Sequence, residues 1–122
     1  MTRFMTSTAA RGLLALAIGW ISTVGSADAG GANLINGYRR FNASCSHCHG
    51  PDGVGSTFAP SLIQRKFDAG TFRQVVLHGK ASGASVMKGF AKDPNIAPYV
   101  DDIYAYLTAR AEGAIGRGRP AK

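Results

Sequence analysis

Two cysteines and a histidine stand together in the segment Cys45-Ser46-His47-Cys48-His49. The spacing C-x-x-C-H is the attachment signature of a c-type haem. Positions i and i+3 of one helical turn point the same way, so Cys45 and Cys48 can reach the two vinyl groups along one edge of a porphyrin. They would form thioethers there, and His49 would then supply the proximal nitrogen ligand of the iron.

Three other kinds of site share the C-x-x-C spacing. A zinc site needs further ligands, but the sequence has no second C-x-x-C or H-x-x-x-H, and His78 alone would not complete one. A thioredoxin-type redox pair stands in a βαβ pattern, which does not surround Cys45. A plain disulfide between the two cysteines stays open at this point. The complete five-residue motif favours haem.

A second axial ligand would decide what a haem does here. Met87 is the only methionine after residue 29, and a thioether ligand stabilises reduced iron and raises its potential. His78 is the alternative and would give a lower potential. It ends a predicted helix, where an imidazole interacts favourably with the helix dipole. His47 is expected at the surface. If Met87 were not on the iron, the open face would suit a sensor or an enzyme.

The first 29 residues have the pattern of a secretory signal peptide. Arg3 and Arg11 make a basic start, residues 12–24 are apolar, and residues 27–29 form an A-x-A cleavage site. The alternative is an uncleaved membrane anchor. No other apolar stretch approaches the roughly 20 residues that span a bilayer. We therefore expect cleavage near Ala29, export to the oxidising periplasm, one domain of residues 30–122, and no stable membrane insertion.

The chain is basic, with a formal charge of +7. Removal of the leader takes away Arg3, Arg11 and Asp28, a net charge of +1, which leaves +6. Basic proteins often bind nucleic acid, but this one is predicted to be exported and has no basic-aromatic repeat or recognisable nucleic-acid module. An acidic protein surface is therefore the expected partner, approached through long-range electrostatic attraction.

The apolar pattern predicts three to four helices and no strand. The first covers residues 33–44, with Asn33 as its N-cap. Gly37 inside it costs about 1 kcal/mol relative to alanine, which predicts the close approach of another helix. Residues 50–55 are rich in glycine and proline and predict a sharp loop after His49.

A second helix is predicted to begin at Thr71, with Gln74 completing a capping box, and to end at Gly79. Residues 80–95 are predicted as a loop that contains Met87.

The last helix is predicted over residues 96–112, with Asn95 as its cap and Pro98 in its first turn. Residues 113–122, rich in glycine and arginine, form the C-terminal tail. This tail is expected to be flexible, either mobile or laid along the surface.

These features together resemble a class I c-type cytochrome over nearly all of residues 30–122. The resemblance implies a small all-α cytochrome c fold of three to four helices wrapped around one covalent haem. Gly37 and Phe41 stand eight and four residues before Cys45, as in the N-terminal helix of that family. The C-terminal helix crosses there in the family, and its matching positions in this chain are Ile103, Tyr106 and Leu107.

The resemblance also implies roles for single residues. Pro60 matches the proline whose carbonyl accepts a hydrogen bond from the proximal imidazole, here His49. Leu62 matches a residue that packs on the haem. Met87 and Phe90 match the M-x-x-F ligand loop, although Lys88 stands where many relatives have proline. The implied site therefore has Cys45 and Cys48 as covalent attachments, His49 and Met87 as axial ligands, and Pro60, Leu62 and Phe90 as haem environment.

Residues 53–62, 99–107 and 116–120 are similar to cytochromes that accept electrons from PQQ-dependent methanol and alcohol dehydrogenases. This likeness implies a monomeric electron carrier, not an enzyme. It would pass electrons to a terminal oxidase or a second cytochrome, and Arg65, Lys80 and Lys88 would meet an acidic dehydrogenase. The alternatives are a general cytochrome c shuttle to a terminal oxidase and a five-coordinate haem sensor or enzyme.

Overall fold

A computed structural model of the protein describes residues 32–65 and 67–122; the predicted leader, residues 1–29, lies outside these ranges. The elements in chain order are α1 Leu34–Ser44, α2 Ser46–His49, a 3₁₀ turn Pro51–Gly53, α3 Ala69–His78, strands β1 Lys80–Ser82 and β2 Ser85–Met87, a second 3₁₀ turn Ala97–Tyr99, and α4 Val100–Ala111. The predominantly helical fold is confirmed. Among these helices none has the length and apolar character to cross a membrane.

The first and last helices cross in direct contact. Gly37 is buried in the crossing, and a Cβ built on it would overlap the Asp102 carbonyl group and lie 2.9 Å from the Tyr106 Cβ. The prediction that Gly37 allows a close helix approach is therefore confirmed. The side chain of Asp102 adds to this contact, because it accepts hydrogen bonds from the Asn33 backbone at 2.8 Å and the Asn36 amide at 2.6 Å. Asn33 also caps α1 as predicted, accepting from the Asn36 N–H at 2.9 Å.

The core lies where α1 and α4 meet α3. Phe41 and Tyr106 are fully buried, with ring centroids 5.9 Å apart, and Tyr38 meets Tyr106 edge-on at 5.7 Å. Large aromatic rings contribute most of the apolar area in so small a protein. The complete buried apolar set is Phe41, Phe72, Val76, Phe90, Ile96, Val100, Ile103, Tyr106 and Leu107.

Helix α3 begins earlier than the sequence predicts. Its N-cap is Asp68, whose carboxylate accepts the Thr71 N–H at 2.9 Å, so the predicted capping box of Thr71 and Gln74 is wrong. An ionised carboxylate is as good a cap as a hydroxyl and also favours the positive end of the helix. The predicted end at Gly79 is confirmed, with a φ of 80° there.

Residues 80–87 form a hairpin and not the predicted loop. Strands β1 and β2 are antiparallel, with Lys80 opposite Met87 and Ala81 opposite Val86. Two-residue hairpin turns need positive φ, which Gly83 supplies at 60°. Successive side chains of a strand point to opposite faces. Met87 therefore turns inward and is half-buried, whereas Val86 turns outward and is 76% exposed.

The last helix begins later than predicted. A 3₁₀ turn over Ala97–Tyr99 precedes α4, and no side chain caps it. Asn95 is therefore not its cap; the Asn95 amide oxygen instead accepts from Arg40 at 3.3 Å. Pro98 lies in the 3₁₀ turn, where its missing N–H leaves no helical bond unmade.

The C-terminal tail lies along the surface and ends against the loop that follows α2. Asp52 receives it: the Asp52 carboxylate accepts hydrogen bonds from the Gly118 N–H at 3.0 Å and from Arg117 Nε at 3.2 Å. The Tyr106 hydroxyl of α4 donates to the same carboxylate at 3.1 Å. Pro120 is buried. Of the two arrangements considered for the tail, the structure shows the docked one.

The ionisation of Asp52 follows from these contacts. Burial alone would raise its pKa, but the hydrogen bonds from Gly118, Arg117 and Tyr106, with the nearby charge of Arg110, hold the pKa below its usual value. Burial, together with the adjacent Asp52 charge, raises the pKa of the Tyr106 phenol, so this hydroxyl stays a donor. The folded protein therefore favours a carboxylate at this position.

Replacing Gly37 with alanine tests the helix crossing. The added methyl group would meet α4 backbone, which cannot move aside, so we expect Gly37→Ala to destabilise the protein by about 3 kcal/mol or more. Gly116→Ala is the control, because a Cβ at Gly116 meets nothing within 4 Å; it should change stability by less than about 0.5 kcal/mol. Chemical denaturation measures both. Equal effects of the two substitutions would contradict the direct backbone contact.

Replacing Asp52 with asparagine tests its ionisation. Asparagine tolerates the φ of 56° at this position, so the change removes charge and little else. Because the folded-state pKa is lowered, the stabilisation is present above the unfolded carboxyl pKa of about 3.9 and is lost as the pH falls through the folded value. Asp52→Asn should therefore destabilise by about 1–3 kcal/mol at pH 7, and by progressively less below pH 4.

The control for Asp52→Asn is Asp101→Asn, which removes an exposed ion pair with Arg73 and should cost less than about 1 kcal/mol. Denaturation curves of the wild type and both variants from pH 7 to pH 3 give the comparison. An Asp52→Asn deficit that stays constant over this range would show that the carboxylate charge is not the source of the stabilisation.

Candidate functional site

The attachment motif lies on a short helix that continues from α1 after a break. Cys45 ends α1, donating its N–H to the Phe41 carbonyl at 2.8 Å, and its own carbonyl accepts the His49 N–H at 3.0 Å. This turn brings Cys45 and Cys48 to the same side of α2, as the i, i+3 spacing requires. Cys45 is half-buried and Cys48 is exposed, and both are free thiols. The disulfide that the sequence left open is not formed in this arrangement.

The environment of Cys45 keeps its thiol neutral. Burial, with a smaller contribution from the neighbouring Cys48, raises the pKa of the Cys45 thiol to about 11. A reactive redox cysteine has a lowered pKa, so Cys45 does not have the character of such a thiol.

His49 is held in one orientation. Only 9% of the residue is exposed, and its Nδ1 lies 2.9 Å from the Pro60 carbonyl oxygen. A carbonyl can only accept, so the hydrogen bond places the proton on Nδ1 and leaves the lone pair on Nε2. This is the tautomer that a metal-binding histidine needs. The hydrogen bond is the one that the resemblance implied.

A glycine-rich loop places Pro60 against His49. The chain turns through positive φ at Gly50, Asp52, Gly53 and Gly55. The Gly55 N–H donates to the His49 carbonyl at 2.7 Å, and the Gly53 carbonyl accepts the Leu62 N–H at 2.9 Å. These two bonds close the loop on itself. Pro60 and Leu62 therefore lie in one loop that is closed against His49 by hydrogen bonds.

The segment around Met87 is attached to the C-terminal end of α3 by backbone contacts. The Phe90 N–H donates to the Val76 carbonyl at 2.9 Å. A Cβ on Gly79 would lie 2.5 Å from the Met87 carbonyl oxygen, and one on Gly89 would lie 2.5 Å from the Leu77 carbonyl oxygen. Phe90 itself is buried. The Met87 side chain therefore has a defined place, half-buried on the inner face of the hairpin.

The other two histidines stand differently. His78 is exposed in the last turn of α3, and His47 is exposed within α2. Neither has a buried side chain held by a backbone carbonyl as His49 has. Met87, by contrast, is half-buried.

An apolar cavity of about 110 Å³ lies beside α4. Leu62 is half-buried, packs against the core and lines this cavity. Its other described lining residues are Arg65, Phe67, Phe72, Tyr104, Leu107, Thr108, Ala111 and Glu112. The lining does not include Cys45, Cys48, His49 or Met87. Leu62 therefore connects the attachment loop with a part of the interior that is separate from these four residues.

The donor groups fit a covalently attached haem. Two free thiols are on one side of α2, and the next residue has an imidazole with Nε2 available. A thioether from Met87 would be the second donor, and nitrogen with sulfur is a ligand pair that haem iron accepts. Within the described ranges, no three His, Cys, Asp or Glu side chains gather as a side-chain metal site would require.

Sequence reasoning missed Asp52 as a structural residue. The sequence predicts it only as part of a turn, because aspartate between proline and glycine is common in turns. The sequence feature that indicated such a contact is the arginine-rich tail, whose positive charges had no predicted carboxylate partner. Nothing local to Asp52 indicated that Tyr106 and Arg117 would meet there, since they stand 54 and 65 positions away.

Comparison with known proteins gives a family. Residues 32–107 match the family model described as "Cytochrome C oxidase, cbb3-type, subunit III". The chain is 46% identical over 94 residues to cytochrome c-553I of Paracoccus denitrificans, covering 72% of this chain and 42% of that one. It is 30% identical over 90 residues to cytochrome c-555 of Methylococcus capsulatus, covering 71% and 70%.

A solved structure has the same fold. The crystal structure of the c-type cytochrome XoxG from Methylobacterium extorquens AM1 superposes with a TM-score of 0.69 and 43% sequence identity, covering 73% of this chain and 57% of that chain. This chain thus spans less than two thirds of XoxG and of cytochrome c-553I. The matched region contains the C-x-x-C-H motif and all four helices up to Leu107. The chain belongs to the c-type cytochromes, and its cofactor is one covalently bound haem c.

Proposed function

We propose that this cytochrome is a periplasmic electron-transfer protein that carries one electron on a single haem c. Cys45 and Cys48 attach the haem, and His49 and Met87 are its axial ligands. The observation that carries the proposal is the His49 imidazole, fixed through Nδ1 to Pro60 with Nε2 available beside two free thiols. Export rests on the predicted leader, residues 1–29.

When bound, haem supplies an iron that is reduced and oxidised by one electron. The chain supplies the ligands and the surroundings. Pro60 holds the His49 ring and makes its Nε2 a stronger donor, because a hydrogen bond to Nδ1–H pulls electron density toward the free nitrogen. The Met87 thioether would favour the ferrous state, and Phe90 and Leu62 would help to keep water from the haem.

Two ligands from the protein leave no open position for a substrate, which favours an electron carrier over a sensor or an enzyme. The backbone contacts of Gly79 with Met87 and of Gly89 with Leu77 support this, because they hold the Met87 segment against the end of α3. Ligands that stay in place in both oxidation states suit rapid electron exchange.

The surface around the hairpin supports a protein partner of acidic character. No aspartate or glutamate occurs between residues 69 and 92, whereas Lys80 and Lys88 are exposed there. Val86 is 76% exposed on the outer face of the hairpin. An apolar centre with a basic rim is the usual composition of a transient redox interface.

The donor that we propose is a PQQ-dependent alcohol or methanol dehydrogenase, with a terminal oxidase or a second cytochrome as acceptor. The sequence likeness of residues 53–62, 99–107 and 116–120 supports this donor, as does the 43% identity to XoxG. The general shuttle to a terminal oxidase remains the second candidate, and the family description as an oxidase subunit favours it. Reduction of the purified cytochrome by a PQQ dehydrogenase separates the two.

Replacing Met87 tests the ligand set. Met87→Ala should remove the ferric absorption at the red end of the spectrum, lower the reduction potential and allow rapid CO binding, because the iron loses its thioether. Val86→Ala is the control, since its exposed side chain turns away from Met87. The spectrum of the oxidised and reduced protein gives the result. An unchanged spectrum for Met87→Ala would contradict axial ligation, and a mass without haem would contradict attachment.

Charge reversal tests the docking surface. Lys80→Glu with Lys88→Glu should lower the rate of reduction by a PQQ dehydrogenase about tenfold or more at low salt and weaken its dependence on salt. The matched control, Arg39→Glu with Arg119→Glu, makes the same charge change at exposed positions on α1 and on the C-terminal tail. Stopped-flow rates over a range of ionic strength give the slopes. Equal slopes for the two double variants would contradict docking through the hairpin.

A further inference from the structure

Asp52 connects the C-terminal tail with the loop that holds the proximal ligand. We infer that this carboxylate, clamped by the docked tail and by Tyr106, is a positioning residue that keeps the Pro60 carbonyl against His49 and thereby lowers the reduction potential. The inference rests on the proposed ligation of iron by His49.

The clamp has three donors from two distant parts of the chain. Tyr106 donates to Oδ1 from the middle of α4 at 3.1 Å. The tail donates twice, from the Gly118 N–H to Oδ1 at 3.0 Å and from Arg117 Nε to Oδ2 at 3.2 Å. Asp52 is only 6% exposed, and Tyr106 is fully buried. The hydrogen bond that Tyr106 donates lies in these buried surroundings and is stronger than one at the surface, whereas the Arg117 side chain is 68% exposed.

The backbone of Asp52 shows that the position is held under constraint. Its φ of 56° is the only positive value at a non-glycine residue in the described part of the chain. Left-handed backbone is uncommon for side chains with a Cβ, although aspartate accepts it more readily than most. Glycine would suit this turn better, so a carboxylate there indicates that the side chain is needed.

A short series of hydrogen bonds connects Asp52 to His49. The next residue, Gly53, lies against α1 and α4: a Cβ there would come within 2.8 Å of Leu107. The Gly53 carbonyl accepts both the Leu62 N–H at 2.9 Å and the Ser61 hydroxyl at 3.2 Å. These bonds hold the segment whose Pro60 carbonyl accepts from the His49 ring. Release of Asp52 would loosen Gly53, and with it the Pro60 carbonyl.

The direction of the effect follows from the donor strength of the imidazole. A hydrogen bond to Nδ1–H makes Nε2 a better donor, which stabilises ferric iron and lowers the potential. Loosening the Pro60 contact should therefore raise the potential. A simple charge effect has the opposite sign, because removing the cations Arg117, Arg119 and Lys122 would favour ferric iron and lower the potential. The sign of the shift separates positioning from electrostatics.

The test compares the complete haem-containing protein with a variant that ends at Gly116. Spectroelectrochemistry measures the potential, and NMR of the reduced protein measures hydrogen exchange at His49 Nδ1. We expect the potential to rise and the exchange to become at least tenfold faster. A fall in potential, or an exchange rate that does not change, would overturn the inference.

Two point variants decide the matter if the shortened chain does not fold. Arg117→Gln and Arg119→Gln remove the same charge two positions apart, but of the two only Arg117 is bonded to Asp52. Arg117→Gln should raise the potential relative to Arg119→Gln; equal potentials would overturn the inference.

Failure of the proposed function has a different signature. If wild-type protein lacks the spectrum of histidine–methionine ligation, the ligand assignment fails and this inference fails with it. If that spectrum is present and the tail variants leave both readouts unmoved, only the positioning role is lost.

Discussion

The crossing of α1 and α4 at Gly37 is the contact on which the rest of the structure depends. The two backbones meet because Gly37 has no side chain, and Asp102 joins them by hydrogen bonds to the start of α1. Cys45 follows eight residues later, about two turns along the same helix. The position and orientation of the attachment motif therefore depend on a helix crossing in which Gly37 has no room for a side chain.

The two residues proposed as iron ligands, His49 and Met87, are positioned mainly by backbone contacts. His49 is oriented by the Pro60 carbonyl, and the hairpin with Met87 rests on the end of α3 through Gly79 and Gly89. Backbone has few ways to rearrange, so these contacts hold the ligands more firmly than flexible side chains could. An electron carrier benefits from such firmness, since its ligands must suit both oxidation states.

Local chemistry predicted the features that depend on a few neighbouring residues. The attachment motif, the Asn33 cap and the helix end at Gly79 each follow from the preferences of single side chains or of one turn. The hairpin was missed because its strands have three residues each, too few for an alternating pattern to be seen. The Asp68 cap was missed because a second plausible cap, Thr71, stood three residues later.

The sequence by itself determined the covalent haem and the helical class, because attachment requires residues at a short fixed spacing and helices show a 3.6-residue period in their apolar positions. Tertiary structure alone decided that Asp52 would receive Tyr106 and the tail, and that the hairpin would turn Met87 inward and Val86 outward. These outcomes join residues far apart in the chain, and pairing over such distances is set by how whole elements pack, not by local preference.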